Sequence, residues 1–222
     1  MTQAQWTAVD DYLTGLLFPA DDALDRALQD AAAGGLPPIN VTAAQGRLLH
    51  ILARAQGART ILEVGTLGGF STIWLARALP DGGRLVTLEI DPHHAEVARA
   101  NIDRAGLADR VDIRVGPALE TLPTLADEGF GPVDFVFIDA DKQRNTAYFE
   151  WAVRLGRVGT TIVVDNVIRD GHVVDAGSDD PSVQGVRRFN EVLAAERRVT
   201  ATEIQTVGSK GYDGFAIALV TG

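Results

Sequence analysis

From Thr60 to Val164 the chain alternates between short apolar runs and longer amphipathic ones. The runs of strand character are Thr60–Val64, Arg84–Ile90, Val111–Val115, Val133–Ile138 and Gly159–Val164. Between them lie helix-like stretches, Ser71–Leu79, Pro92–Ala105, Ala118–Glu128 and Thr146–Leu155. Such alternation demands parallel strands joined by right-handed crossover helices. The C-terminal stretch breaks the rhythm. A helix, Ser182–Glu196, precedes two strands, Val199–Val207 and Phe215–Val220, with a turn through Lys210–Gly214. Two strands joined so tightly form an antiparallel hairpin. The expected fold is α/β: a seven-stranded, mostly parallel sheet with one antiparallel strand and helices on both faces.

Ahead of the sheet, residues 3–33 read as two helices. Trp6, Val9, Leu13, Leu16 and Leu17 fall at helical spacing until Pro19, and Leu24, Ala27 and Leu28 open a second run that ends at Gly34-Gly35. Leu36-Pro37-Pro38 is a rigid connector, and Thr42 is placed to cap a helix reaching about Gln56. The chain is expected to be one domain over 1–222, with N-terminal helices over 1–56 and the sheet over 57–222. The polar segment Gly171–Pro181 is the expected mobile loop.

Two strands end on oxygen ligands. Phe135–Ile138 runs into Asp139-Ala140-Asp141-Lys142, and Thr161–Val164 runs into Asp165-Asn166. In open α/β sheets the carboxyl edge is where ligands bind. Asp139, Asp165 and the Asn166 amide make an all-oxygen donor set, which suits Mg2+, or else Ca2+ or Mn2+. With three protein donors, positions stay open for water or substrate. Asp141 is expected to cap the helix that follows. Lys142 reads either as a surface lysine or, beside a cation-bound hydroxyl, as a general base. His93 and His94 are expected on a solvated helix face, and His172 in the mobile loop.

The first strand leads into Gly65-Thr66-Leu67-Gly68-Gly69-Phe70-Ser71, a glycine turn opening a helix. Leu67 stands where a dinucleotide fingerprint requires its second glycine, and there is no Gly-Lys-Ser/Thr ending. Glu63 lies inside the apolar strand, where a carboxylate is costly without a partner. That partner is either an amine-bearing ligand over the turn or a lysine or arginine elsewhere. Glu89 ends the second strand, where an acid holds ribose hydroxyls, while Asp91 caps the helix beginning at Pro92. Nicotinamide dinucleotide and S-adenosylmethionine both fit at this point. The absent glycine and Glu63 favour the ligand without a pyrophosphate.

Composition narrows the field. The chain has no cysteine, so thiolate nucleophiles, disulfides and zinc–thiolate sites are excluded. Twenty Lys and Arg against 30 Asp and Glu give a net charge of −10, a poor match for nucleic acid. Met1–Asp10 lacks the pattern of a signal peptide, and no apolar run suits a membrane span. A cytoplasmic protein is the expectation.

The motifs Ile39-Asn40-Val41, Leu62-Glu63-Val64-Gly65 with Gly69-Phe70-Ser71, Leu88-Glu89-Ile90-Asp91, Ile138-Asp139-Ala140-Asp141-Lys142 and Asp165-Asn166 together resemble the cation-dependent class I O-methyltransferases. That group includes the catechol and caffeoyl-CoA O-methyltransferases. The resemblance covers about Leu36 to Val220 and is strongest to bacterial members. It implies a Rossmann-like fold, S-adenosylmethionine and a divalent cation as cofactors, a small phenolic substrate and a homodimer. Val41 would lie against the methionine end of the cofactor. Glu63 and Gly65 would hold its amino-acid part, with Ser71 near the carboxylate, and Glu89 the ribose. Ile90 and Ala118 would flank the adenine. Asp139, Asp165 and Asn166 would bind the cation, Asp139 also bordering the cofactor, and Lys142 would be the base. Pro117 departs from the Gly-Asp-Ala or Gly-Ser of relatives and removes a backbone donor there. The alternatives are a nicotinamide-dependent oxidoreductase, a metal-dependent phosphohydrolase and a non-catalytic adenosine-binding scaffold.

Overall fold

The computed structural model describes residues 2–222. Seven strands form one sheet: β1 (Thr60–Val64), β2 (Arg84–Glu89), β3 (Val111–Val115), β4 (Phe135–Ile138), β5 (Thr161–Asp165), β6 (Val199–Gly208) and β7 (Gly211–Val220). Their order is β3-β2-β1-β4-β5-β7-β6. β7 runs antiparallel to both neighbours, and the other pairings are parallel. This is the expected architecture.

Among the described residues eight α-helices accompany the sheet: α1 (Gln3–Leu17), α2 (Asp22–Ala33), α3 (Ala43–Gln56), α4 (Phe70–Ala76), α5 (Pro92–Arg104), α6 (Ala118–Asp127), α7 (Asn145–Leu155) and α8 (Pro181–Ala195). Among the described residues no helix is long and apolar enough to cross a membrane. Thr42 Oγ1 accepts from Gln45 N–H at 3.1 Å, and Asp91 Oδ1 from His93 N–H at 2.8 Å, so both expected caps form.

Strand side chains alternate between two cores because successive residues point to opposite faces. Leu62, Val86, Val136, Ile138, Ile162 and Val164 face α6, α7 and α8. Ile61, Leu85, Phe135, Phe137 and Val163 face α2, α3, α4 and α5. The same parity puts Glu63 and its register neighbour Thr87 on the α4 side, inside the second core.

One expectation about a turn is corrected. The C-terminal hairpin closes through Ser209 and Lys210 alone, with Gly208 paired to Gly211. Gly211 takes the left-handed conformation a short hairpin turn needs, φ 99°. Gly214 is a strand residue, and a Cβ there would stand 2.3 Å from the Ile204 carbonyl oxygen. Close approach of the partner strand, not a turn, explains that glycine. Residues 169–174 form two short 3-10 turns broken at Asp170 and Gly171, whose φ of 55° and 85° are not helical, which leaves the stretch irregular.

Candidate active site

The strand order reverses between β1 and β4, which opens a crevice at their carboxyl ends. A cavity of about 970 Å3 occupies it. Gly65 after β1, Glu89 and Ile90 at the end of β2, Gly116 after β3, Asp139 after β4 and Asn166 after β5 all reach its wall. α2 and the Ile39-Asn40-Val41 connector cover it from above the sheet edge. Val41, Ser71, Ala118 and Lys142 line it too. Of the residues singled out in the sequence, Glu63 and Asp165 stand outside the wall.

Glu63 is fully buried and pairs with no lysine or arginine among the described residues. Its carboxylate accepts from Ser71 Oγ at 2.7 Å, Thr72 Oγ1 at 2.5 Å and Thr87 Oγ1 at 2.7 Å. Burial pushes its pKa up to about 7, against the pull of those hydroxyls. α4 is pinned to β1 by these bonds. Its start is a glycine turn in which Gly65 has φ 102°, and a Cβ there would be 2.1 Å from the Asp139 carbonyl oxygen. The glycine therefore lets the ends of β1 and β4 meet.

Glu89 is 6% exposed and organises the same turn. Its Oε2 accepts from the N–H groups of Thr66 at 3.2 Å and Leu67 at 2.7 Å, and its Oε1 from Asp91 N–H at 2.9 Å. Leu67 is held at φ 49°, a left-handed conformation that residues other than glycine avoid unless constrained in this way. His94, expected on a solvated face, instead lines the cavity, with Nδ1 3.6 Å from Glu89 Oε1. The His93-His94 pair gave no sign of this, because the inward ring is set by where α5 packs against the end of β2, beside Glu89. Pro117 is the N-cap of α6, and its carbonyl accepts from Glu120 and Thr121 N–H.

At the other end of the cavity, Asp139 and Asp165 lie close enough that Asp139 raises the Asp165 pKa. Burial is the larger cause, and together they bring it to about 7. Lys142, with its charge nearby, and the Gln45 side chain pull the other way. Lys142 is buried, not on the surface, and donates from Nζ to Asp139 Oδ1 at 2.8 Å. Asp165 Oδ1 accepts from Asn166 N–H at 2.9 Å. Asn166 is held at φ 58°, and its side-chain amide makes no hydrogen bond among the described residues. No cluster of three or more His, Cys, Asp and Glu exists among the described residues. The Asn166 amide oxygen could supply a third oxygen donor. Two converging carboxylates and a free amide oxygen are a donor set that fits a hard divalent cation.

Asp141 corrects another expectation. It makes no side-chain cap bond with the 3-10 turn Lys142–Arg144. Its oxygens take Arg144 Nη1 at 2.7 Å and Tyr148 Oη at 2.6 Å instead. Two side-chain donors, one on the turn and one on α7, occupy the carboxylate in place of the backbone N–H groups. His172 is exposed and does not reach the cavity. Lys210, a hairpin residue with no motif around it, bonds the Pro38 and Asn40 carbonyls of the connector. Burial lowers its pKa while Asp139 and Asp165 draw it up, so the hairpin brings a cation toward the two carboxylates.

A family model for O-methyltransferases matches residues 21–218, nearly the whole chain. The chain belongs to the O-methyltransferase family. A catechol O-methyltransferase of Niastella koreensis is 55% identical over 220 residues, covering 99% of this chain and all of the relative. The crystal structure of an O-methyltransferase from Bacillus cereus in complex with SAH superposes with a TM-score of 0.98 at 57% identity, covering 99% of this chain and 100% of that one. An O-methyltransferase of Streptomyces achromogenes involved in tomaymycin synthesis, in complex with SAM, gives 0.97 at 53% identity, with both chains covered in full. Membership of the O-methyltransferases excludes the oxidoreductase and phosphohydrolase alternatives.

Proposed function

We propose that this O-methyltransferase transfers a methyl group from S-adenosylmethionine to a phenolic hydroxyl of a catechol-type substrate, with a divalent cation, Mg2+ in the first place. The observation that carries the reading is the single cavity wall on which Glu89 and Gly65 stand at one end and Asp139, Asn166 and Lys142 at the other. The relatives' catechol activity and the SAM and SAH in the solved structures support the two halves separately.

In this reading Glu89 takes the ribose hydroxyls, and Gly65, Ser71 and Val41 surround the methionine part. Ile90 and Ala118 border the adenine. Glu63 acts from behind the wall, fixing Ser71 through a 2.7 Å hydrogen bond. Asp139, Asp165 and Asn166 would hold the cation, which when bound would lower the pKa of a catechol hydroxyl. Lys142, anchored on Asp139, would accept the phenolic proton in its neutral amine form, after giving up a proton to solvent, a loss that the charge of a bound cation favours. Alignment of oxygen, methyl carbon and sulfur is supplied by the shared wall. The sulfonium chemistry is the cofactor's own.

The experiment is a turnover assay on catechol with S-adenosylmethionine, before and after chelation. Methylation that stops on chelation and returns with Mg2+ supports the reading. Undiminished turnover in chelator removes the cation from it, and no methylated product removes the substrate class.

We also infer a homodimer. Tyr12, Leu16 and Leu17 are 66%, 65% and 61% exposed on α1, an apolar stripe of the kind a second copy covers. A monomeric sedimentation profile would end that inference.

A further inference from the structure

One cation on the cavity wall is unassigned by the reaction. Lys142 is committed to Asp139 at 2.8 Å and Arg144 to Asp141 at 2.7 Å. Arg169 also lines the cavity, three residues after Asn166, yet its guanidinium makes no hydrogen bond among the described residues. Its Nε is buried and without a partner. Its one ion pair is long, Nη1 to Asp213 Oδ2 at 3.9 Å. Asp213 is otherwise occupied, since its Oδ1 accepts from the N–H groups of Ile168, Arg169 and Gly214 at 3.0, 3.0 and 2.9 Å.

The backbone around this arginine is expensive to hold. Asn166, Arg169 and Asp170 have φ of 58°, 55° and 55°, the left-handed region that residues other than glycine avoid. β7 enforces it through Asp213. A strained loop, braced from the neighbouring strand, thus carries a half-buried guanidinium, its Nε without a partner, to the substrate end of the cavity. An unpaired buried donor is unfavourable in the free protein, so its natural complement is an acceptor that arrives with the ligand.

We propose that Arg169 sets substrate specificity by binding the carboxylate of an acidic catechol. The proposal rests on the methyl-transfer reading above and names the substrate class for it. A planar guanidinium fork matches a carboxylate through two parallel N–H···O bonds, which an ammonium cannot do. The chain as a whole carries a net charge of −10 and disfavours anions. A local, uncommitted arginine is what lets an anionic substrate enter.

The test compares 3,4-dihydroxybenzoate with 3,4-dihydroxybenzamide, the same shape without the charge, on wild type, Arg169→Gln and Arg169→Lys. Both kcat/KM and calorimetric binding of each compound are measured. Wild type should favour the acid about tenfold or more. Arg169→Gln should lose about tenfold to a hundredfold more on the acid than on the amide, mainly in KM, since a site built to bond a polar group discriminates strongly. Arg169→Lys should fall between. Equal losses on acid and amide mean that Arg169 only holds its loop, and overturn the proposal. Both compounds methylated by wild type without preference overturn it alone and leave catechol methylation standing. Neither compound methylated overturns the methyl-transfer reading, and the proposal with it.

Discussion

Lys142 donates to Asp139 across 2.8 Å from a position only three residues away, on a 3-10 turn that buries the lysine against the cavity. A surface lysine would need no such anchor. The pairing holds Nζ at one place on the wall while tying it to a carboxylate proposed to carry the cation.

Replacing Lys142 tests its role as base. Lys142→Met should lower kcat by about a hundredfold to ten-thousandfold, the usual share of a general base. The dissociation constant for S-adenosylmethionine should stay within a few fold. Turnover and a cofactor titration check the two halves. A lost affinity with kcat retained would make Lys142 a binding residue.

Asp165 has its pKa raised to about 7, so below that pH it takes up a proton that a divalent cation must displace. Added Mg2+ should therefore raise the melting temperature more at pH 8 than at pH 5.5. Asp165→Asn should abolish the Mg2+ response at both. Scanning calorimetry at the two pH values decides, and an equal response at both would contradict the site.

Glu63 has a folded-state pKa of about 7 against an ordinary 4.5. The folded protein holds that proton more tightly than the unfolded chain. Its contribution is fully present below about pH 4.5 and is lost as pH rises through 7, by about 3 kcal/mol in total. Glu63→Gln keeps the hydrogen-bonding shape without the charge. Denaturant unfolding at pH 5 and pH 8 should show a smaller loss for the variant than for wild type. Parallel curves would mean Glu63 stays ionised throughout.

Gly185 on α8 sits against the turn that carries Lys142, and a Cβ there would be 2.4 Å from the Lys142 carbonyl oxygen. Gly185→Ala should destabilise by about 1–3 kcal/mol through overpacking. It should also lower kcat more than cofactor affinity, because the shift reaches the base. Gly15→Ala, where a Cβ meets nothing within 4 Å, serves as the control. Equal effects of the two changes would separate α8 from the site.

Much of the fold is legible along the chain because period and punctuation are local. The strand runs from Thr60 to Val164, the break at Pro19, and the caps at Thr42 and Asp91 follow from residues a few positions apart. The strand-end acids are legible for the same reason. A carboxylate closing an apolar strand goes to the sheet edge whatever the rest of the chain does.

What the sequence left open depends on residues far apart. Glu63 has no lysine or arginine beside it, because α4 folds back and offers Ser71 and Thr72 while β2 supplies Thr87. Asp141 is taken from its capping role by Arg144 and Tyr148, one turn and two turns on. His94 lines the cavity beside Glu89, which belongs to another element. Lys210 and Arg169 belong to the cavity region because the C-terminal hairpin packs beside β5, with Asp213 holding one and the turn presenting the other.

By itself, then, the sequence determined the alternating sheet, the carboxyl edge and the acids placed there, since each is set by periodicity within one element. The tertiary structure alone decided which polar groups find partners. Whether a buried charge is satisfied depends on what other strands and helices bring within about 3 Å of it, and that distance is fixed only once the sheet order is made.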